Sequence, residues 1–384
     1  MQRDRFTENA PGELRQVTLG RQTDWAFIPH PLPPAWENPP STWSLLTQAK
    51  EALGRLDGVG RYMPNYNLLL RPLQRREALR SSSLEGTYAT PEQLLLFELD
   101  PQQPQSVSDP VNAWQEVANY TKALELGLHL LESRPLSLNL IREMHRTLLM
   151  GVRGAQANPG HFRRGLVKIG SNARFIPPPA PEVLPCLDRL EKFIHQPSTI
   201  DPLLLCFMVH YQFESIHPFI DGNGRVGRLL LSLMIYQKCQ LDHPWLYLSA
   251  FFDRYKDEYI DNLFAVSATG NWEAWLNFCL RGVIDQSQDS IQRFDALLQL
   301  RNQYLERLSQ QGGNIRLNRL IDYLFESPAI TRSQLAELCD VSYPTATQDL
   351  ERLIQANILV EADWSQRPKI YFAPEIMVIA YQDN

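Results

Sequence analysis

The string His217-Pro218-Phe219-Ile220-Asp221-Gly222-Asn223-Gly224-Arg225-Val226-Gly227-Arg228, followed at once by Leu229-Leu230-Leu231, leaves this chain few ways to fold around it. Three glycines, one asparagine and two arginines fall within residues 222–228, ahead of an apolar run. Gly222 and Gly224 permit dihedrals that expose successive backbone N–H groups. A helix starting there adds its own unpaired donors and the positive end of its dipole. Arg225 and Arg228, three apart, share a helical face and suit anionic oxygens. Together these features predict a polyphosphate cradle at a loop-to-helix junction. The Gly-Lys-Ser/Thr ending of a P-loop is missing, so no lysine serves as the phosphate ligand. Asp221 is a single carboxylate beside the cradle, and one carboxylate with phosphates and waters is a usual way to hold Mg²⁺. His217, at the lip, has a reference pKa suited to taking a proton from an attacking hydroxyl.

Parts of this string also fit other chemistries. Gly222-x-Gly224-x-x-Gly227 matches a dinucleotide fingerprint, with Asp242 about twenty residues on. That reading needs a strand before the loop, whereas a polar-dotted helical stretch and His217-Pro218 precede it. Taken singly, Arg225 and Arg228 read as solvent-facing helix residues and His217 as a helix cap, but the string as a whole does not. His210 and His217 lack the Cys or further His that would complete a metal site.

At 384 residues the chain exceeds one ordinary core, and two or three domains are expected. Pro29, Pro31, Pro33, Pro34, Pro39 and Pro40 predict an extended arm over residues 1 to 40, anchored by Trp25 and Trp36. Ser41 or Thr42 caps a helix through Leu45, Ala49, Leu53 and Leu56 that ends at Gly58 and Gly60. Leu73 to Glu85 reads as a second helix stopped by Gly86, and Thr90-Pro91-Glu92 opens a third. From Val111 to Leu149, apolar residues recur at three to four positions. The stretch Gly160 to Pro179, with Leu166–Ile169, Ser171-Asn172 and Phe175-Ile176, predicts a β-hairpin flap. Helices then cover Pro181–Phe193, Asp201–Ser215, Gly224–Gln240, Tyr247–Ser267 and Trp272–Leu308. Three more helices (Ile315–Phe325, Thr331–Leu338, Tyr343–Ile354) and two strands (Ile358–Glu361, Lys369–Phe372) form a winged helix-turn-helix pattern. The expected fold class is mainly α: a helical core with a β-hairpin flap, plus a C-terminal winged helix-turn-helix domain.

The string resembles the signature of the Fic family, and every signature position is filled. Fic-like sequence covers residues 105–285. The remainder divides into an arm and helical region over 1–104, a connecting helix over 286–312 and the winged helix over 313–384. The resemblance implies transfer of AMP from ATP to Ser, Thr or Tyr hydroxyls of a target protein and of the chain itself. His217 would be the general base and Asp221 would hold Mg²⁺. Gly222, Asn223 and Gly224 would line the anion hole, with Asn223 fixing the loop and contacting phosphate. Arg225 would address the β-phosphate and Arg228 the γ-phosphate. Lys168, Ile169, Gly170 and Ser171 of the flap would dock the target as an added strand. Upstream, Ser81-Ser82-Ser83-Leu84-Glu85-Gly86 resembles the family's inhibitory helix. There Glu85, supported by Ser81 and Gly86, would pair with Arg228 and deny it to the γ-phosphate. A glutamate so placed also leaves removal of AMP open.

Other functions stay in view. The winged helix suggests DNA binding, yet residues 311–384 carry six basic side chains against ten acidic ones, which disfavours contact with phosphates. A docking or homodimer role fits that balance better. A nucleotide sensor on a DNA-binding regulator, or a scaffold, would not need a base at His217. The five cysteines (Cys186, Cys206, Cys239, Cys279, Cys339) form no CxxC pair and read as reduced core thiols. With no apolar leader and no stretch long enough to span a bilayer, a cytoplasmic location away from membranes is expected.

Overall fold

The computed structural model describes residues 1–19, 22–37, 39–61, 65–106, 108–152, 158–170, 173–310, 315–362 and 368–382. The N-terminal region is no extended arm. Strands β1 (Gly12–Leu19) and β2 (Gln22–Pro29) form an antiparallel hairpin in register from Gly12 opposite Pro29 to Leu19 opposite Gln22. The prolines exclude helix but only cluster beyond β2, and the Thr23–Ile28 run is free to pair. Trp25 lies under the Arg3 guanidinium, and Trp36 packs against the main core.

Helix α1 (Pro40–Arg61) runs straight through Gly58 and Gly60, where the sequence predicts a turn. A Cβ on Gly60 would stand 2.2 Å from the Trp245 indole, so this glycine is a close-approach site and not a stop. Helix α2 (Asn67–Leu84) begins earlier than expected and carries Pro72 inside it. At its end Gly86 takes φ +79° and the N–H groups of Gly86 and Thr87 bond Ser83 and Ser82 carbonyls, closing the last turn. Helix α3 (Pro91–Leu99) starts with a capping box from Thr90 and Gln93.

Helices α4 (Val111–Leu131), α5 (Leu138–Leu148), α6 (Ala180–His195), α7 (Pro202–Ile216) and α8 (Asn223–Lys238) build the centre. Helix α7 is apolar on nearly every face and buried accordingly, against α8 on one side and α6 on the other. The stretch read as one helix from Tyr247 is two, α9 (Ser249–Arg254) and α10 (Lys256–Thr269), broken at Tyr255. The 38-residue α11 (Trp272–Ser309) spans the molecule and packs along α1.

Beyond it lie α12 (Ile315–Glu326), β3 (Ala329–Thr331), α13 (Arg332–Cys339), α14 (Tyr343–Gln355), β4 (Val360–Glu361), β5 (Ile370–Phe372) and α15 (Pro374–Tyr381). The sheet order is β3-β5-β4, antiparallel throughout. Strand β3 and helix α15 were not expected, because three residues carry no period and α15 is too short to show one. Helix α15 rests on α11 and α2, and Arg75 of α2 donates to the Glu326 carbonyl. The fold is mainly helical with small sheets. All five cysteines are free, and no helix among the described residues is long and apolar enough to cross a membrane.

Candidate active site

Helix α7 ends at Ile216, and His217 follows in the left-handed region at φ 49°, ψ 62°. That conformation is costly for a residue with a Cβ and persists only where its surroundings fix it. Arg163 supplies the restraint. Its Nε donates to the His217 carbonyl at 2.8 Å, while Nη2 reaches the carbonyls of Ile216 (3.2 Å) and Pro178 (2.6 Å) and Nη1 that of Gly165 (2.9 Å). One buried guanidinium therefore joins the end of α7 to both sides of the flap. Burial lowers its pKa to about 10.

The loop then turns into α8 through Gly222 at φ 78°. Asn223 closes it like a staple: Oδ1 accepts the Phe219 N–H at 2.7 Å and Nδ2 donates to the Phe219 carbonyl at 3.0 Å. These two bonds tie the Asn223 side chain into the turn and fix its shape. His145 of α5 stacks on Phe219 at 3.7 Å, and its Nδ1 accepts the Gly160 N–H at 2.8 Å. Its Nε2 then donates to the Asp221 carbonyl at 3.0 Å, so the partners set the tautomer. Burial lowers the His145 pKa to about 4, keeping it neutral.

The His217 imidazole is half-buried, and its pKa falls to about 4 through burial and then the nearby Arg163 charge. It is a free base near neutrality. Arg228 is buried and well held: Nε donates to Ser81 Oγ at 2.8 Å, and Nη2 to the Ser81 carbonyl and to Glu85 Oε1, each at 2.8 Å. Burial alone would raise the Glu85 pKa, but Arg228 holds it below the usual carboxylate range. The same pairing raises Arg228 further above its ordinary value, despite burial. A Cβ on Gly224 would come 2.1 Å from Glu85 Oε1, so this carboxylate sits directly on the first turn of α8.

Arg225 has a protein partner of its own. Its Nη1 pairs with Glu116 Oε2 at 3.0 Å, with both side chains buried, and Nη2 is 4.0 Å from Asp221 Oδ1. Asp221 is about half exposed and accepts the Gly222 N–H at 2.7 Å. A lone carboxylate at the open mouth, backed by its own loop amide, fits a magnesium ion carried in with phosphates better than an all-protein cage. His210 is no ligand: Nδ1 meets the Gly227 carbonyl at 3.1 Å and Nε2 the Tyr259 hydroxyl at 2.8 Å. Burial pushes its pKa down to about 3.

His217, Gly224, Arg228, Glu85, Ile169 and Gly170 line one cavity of about 290 Å³, walled by Phe175, Tyr259 and Phe264. Asp221, Arg225 and the exposed Lys168 lie off that lining. Among the described residues the flap holds one antiparallel bridge, Ile169 with Phe175, and Gly170 stands at φ 76°. Ser171 lies outside the described residues. Behind the flap the Phe27 N–H of β2 donates to the Ile176 carbonyl at 2.8 Å, and the Phe27 and Phe175 rings stand 5.6 Å apart.

Sequence reading missed four contributors. Arg163, His145 and Glu116 sit on other elements and carry no motif of their own. Glu214 lies three residues before His217, its carboxyl against Gly227, where a Cβ would come 2.1 Å from Oε1. That oxygen is buried without a hydrogen-bond partner, and burial raises the Glu214 pKa to about 8. The small residue at 227 was the one available signal.

Two family descriptions match the chain, Fic/DOC family N-terminal over residues 43–129 and Fic/DOC family over residues 135–235. Among curated proteins it is similar to protein adenylyltransferase Fic from Drosophila melanogaster, 31% identical over 112 residues, which is 29% of this chain and 22% of that protein. The counterpart in Drosophila grimshawi is 32% identical over the same length and the same shares. The chain thus matches about a fifth of the length of these relatives. Among solved structures, a Fic family protein from Desulfovibrio desulfuricans superposes with TM-score 0.57 at 20% identity, covering 89% of this chain and 98% of that one. Fic-1 from C. elegans gives 0.52 at 21% identity, covering 68% and 75%.

Proposed function

This chain belongs to the Fic/DOC family, and from that premise we propose that it is a protein adenylyltransferase held off by its own Glu85. It moves AMP from ATP to a Ser, Thr or Tyr hydroxyl on a target protein and on itself. The observation that carries this reading is the neutral His217 beside an anion cradle whose arginine and helix start are covered by the Glu85 carboxylate. A carboxylate already seated there marks the place as one that takes anionic oxygen.

The chemistry follows from these groups. The backbone of Gly222 to Gly224 and the start of α8 receive phosphate oxygens. His217 Nδ1 or Nε2 accepts the target hydroxyl proton as its oxygen attacks the α-phosphorus, and the bond to the pyrophosphate leaving group breaks. Arg228, once released, holds the far end of that leaving group, and Arg225 addresses its nearer phosphate. Asp221 is the residue that would hold Mg²⁺, which when bound neutralises charge on the α- and β-phosphates. Arg163 and His145 keep the His217 loop in shape. Lys168, Ile169 and Gly170 offer a strand edge to the target, and Ser171 follows them in the sequence. Glu85, with Ser81 and the Gly86 turn, keeps Arg228 occupied. The same glutamate, turned toward a modified target, would suit removal of AMP.

Residues 1–104, 105–285, 286–312 and 313–384 divide the chain into a hairpin and helical inhibitory region, catalytic core, connecting helix and winged helix. For the last of these we favour protein docking or homodimer contact over DNA. In α14, Asp349 is buried and spends its charge on Arg316 at 2.8 and 3.1 Å, so the pair drops out of the surface balance on both sides. The test is to incubate Glu85→Gly protein with Mg²⁺ and ATP labelled on the α-phosphate. Label on protein that vanishes with His217→Ala supports the reading. Label arriving only from the γ-position would replace it with phosphate transfer.

A further inference from the structure

The two motif arginines meet two carboxylates of very different mobility. Glu85 is 38% exposed and sits at the end of α2, one residue before a left-handed glycine, so it can swing away. Glu116 projects from the second turn of α4, and its side chain is 6% exposed against Arg225 at 4%. It cannot leave without stranding two buried charges, which costs far more than a surface pair. Its Oε2 accepts both Arg225 Nη1 at 3.0 Å and Thr87 Oγ1 at 2.9 Å. Thr87 is itself fixed, its N–H closing the end of α2 on the Ser82 carbonyl at 3.0 Å. Three elements therefore converge on one oxygen atom.

The pair leaves Arg225 unsaturated. Nη1 is taken, Nη2 is turned toward Asp221 at the loop, and Nε is buried without an acceptor. A guanidinium with a fixed counter-charge at Nη1 and its Nη2 turned toward the loop is held in one orientation, and a planar fork so held needs little reorganisation when the loop takes an anion.

We propose that Glu116 is the positioning residue for Arg225, its carboxylate pinned by Thr87 so that the guanidinium faces the leaving group of the transfer reaction. This rests on the adenylyltransferase reading. Glu116 touches no reacting atom and acts only through Arg225, whereas Glu85 acts by occlusion, so the two carboxylates have opposite effects on rate.

The experiment compares Glu116→Gln, Glu116→Ala and Thr87→Val, each in the Glu85→Gly protein, for self-transfer from α-labelled ATP across ATP concentrations. Misplacing a group that stabilises the leaving group lowers the saturated rate by roughly tenfold to a hundredfold. The ATP concentration for half-maximal rate should move far less. Gln keeps an acceptor for both partners and should lose less than Ala. Thr87→Val deletes one hydroxyl without changing shape, and its loss should be about threefold. Its urea midpoint should fall only modestly, as the loss of one buried hydrogen bond requires, so that its rate is read on folded protein even where Glu116→Ala fails to fold. Unchanged rates in Glu116→Gln and Thr87→Val overturn the proposal alone, and a rise in either shows restraint of Arg225 and overturns it too. A Glu85→Gly protein that takes no label removes the transfer reading and this proposal with it.

Discussion

Substituting Glu85 by glutamine and by glycine separates two ways in which one side chain can hold an active site shut. The first is charge. A hydrogen bond to a charged partner contributes about 1.5–3 kcal/mol. Arg228 is 3% exposed but Glu85 is 38%, so solvent screening argues for the lower half of that range. At about 1.4 kcal/mol per decade, losing roughly 1.5–2 kcal/mol makes Arg228 some tenfold to thirtyfold more available. The second is bulk, since the Glu85 carboxylate lies where even a methyl on Gly224 would come 2.1 Å from it. Glutamine removes only the charge, whereas glycine removes both. The expected order of AMP self-transfer is parent, then Glu85→Gln by about tenfold, then Glu85→Gly above that. Initial rates with α-labelled ATP at saturating Mg²⁺ give the measurement. Glutamine equal to parent beside an active glycine variant refutes the charge reasoning, and glycine equal to parent refutes both.

Three further outcomes follow from the geometry. In Glu85→Gly protein the rate should hold steady as pH falls from 8 to 5.5, because His217 has a pKa of about 4 and loses its basic form only near there. A histidine at its ordinary value would be roughly nine-tenths protonated at that pH, so a tenfold fall by pH 5.5 contradicts the assignment. Gly227→Ala should lower stability by about 1–3 kcal/mol in urea titrations through overpacking on Glu214 and Phe213. With Glu214→Ala the same change should turn neutral or mildly stabilising, since alanine favours helix by roughly 0.5–1 kcal/mol. Equal costs in both backgrounds would show that the carboxyl is not what fills the space. Gly60→Ala should cost a similar 1–3 kcal/mol by meeting the buried Trp245 indole, and an unchanged urea midpoint would contradict that contact.

Much of the molecule could be read from its residues because helices write their period into sequence. The helix over Pro91–Leu99, its Thr90 cap and the Gly86 stop all lie where local chemistry puts them. What escaped is nonlocal. Gly60 looks like a terminator until an indole from another segment is known to press on it. Strand pairing of β1 with β2 depends on a partner, not on a pattern, and proline counting obscured it. In the site, the string from His217 to Arg228 announced itself, but Arg225 was assigned without knowing that Glu116 stood behind it. The closed ring that Asn223 makes with Phe219 could not be read from spacing alone. Buried counter-charges come from remote helices, and no spacing rule points to them.

The first thirty residues stand outside both matched family segments, yet one of their amides and one of their aromatic rings brace the rear of the flap. A protein trimmed to the recognised boundaries would retain every motif side chain and lose the wall against which the Ile169–Phe175 segment leans. The working unit of this fold is accordingly larger than its signature, and under the proposed transfer reaction a chain shortened to the signature should lose capture of a protein target before it loses capture of nucleotide.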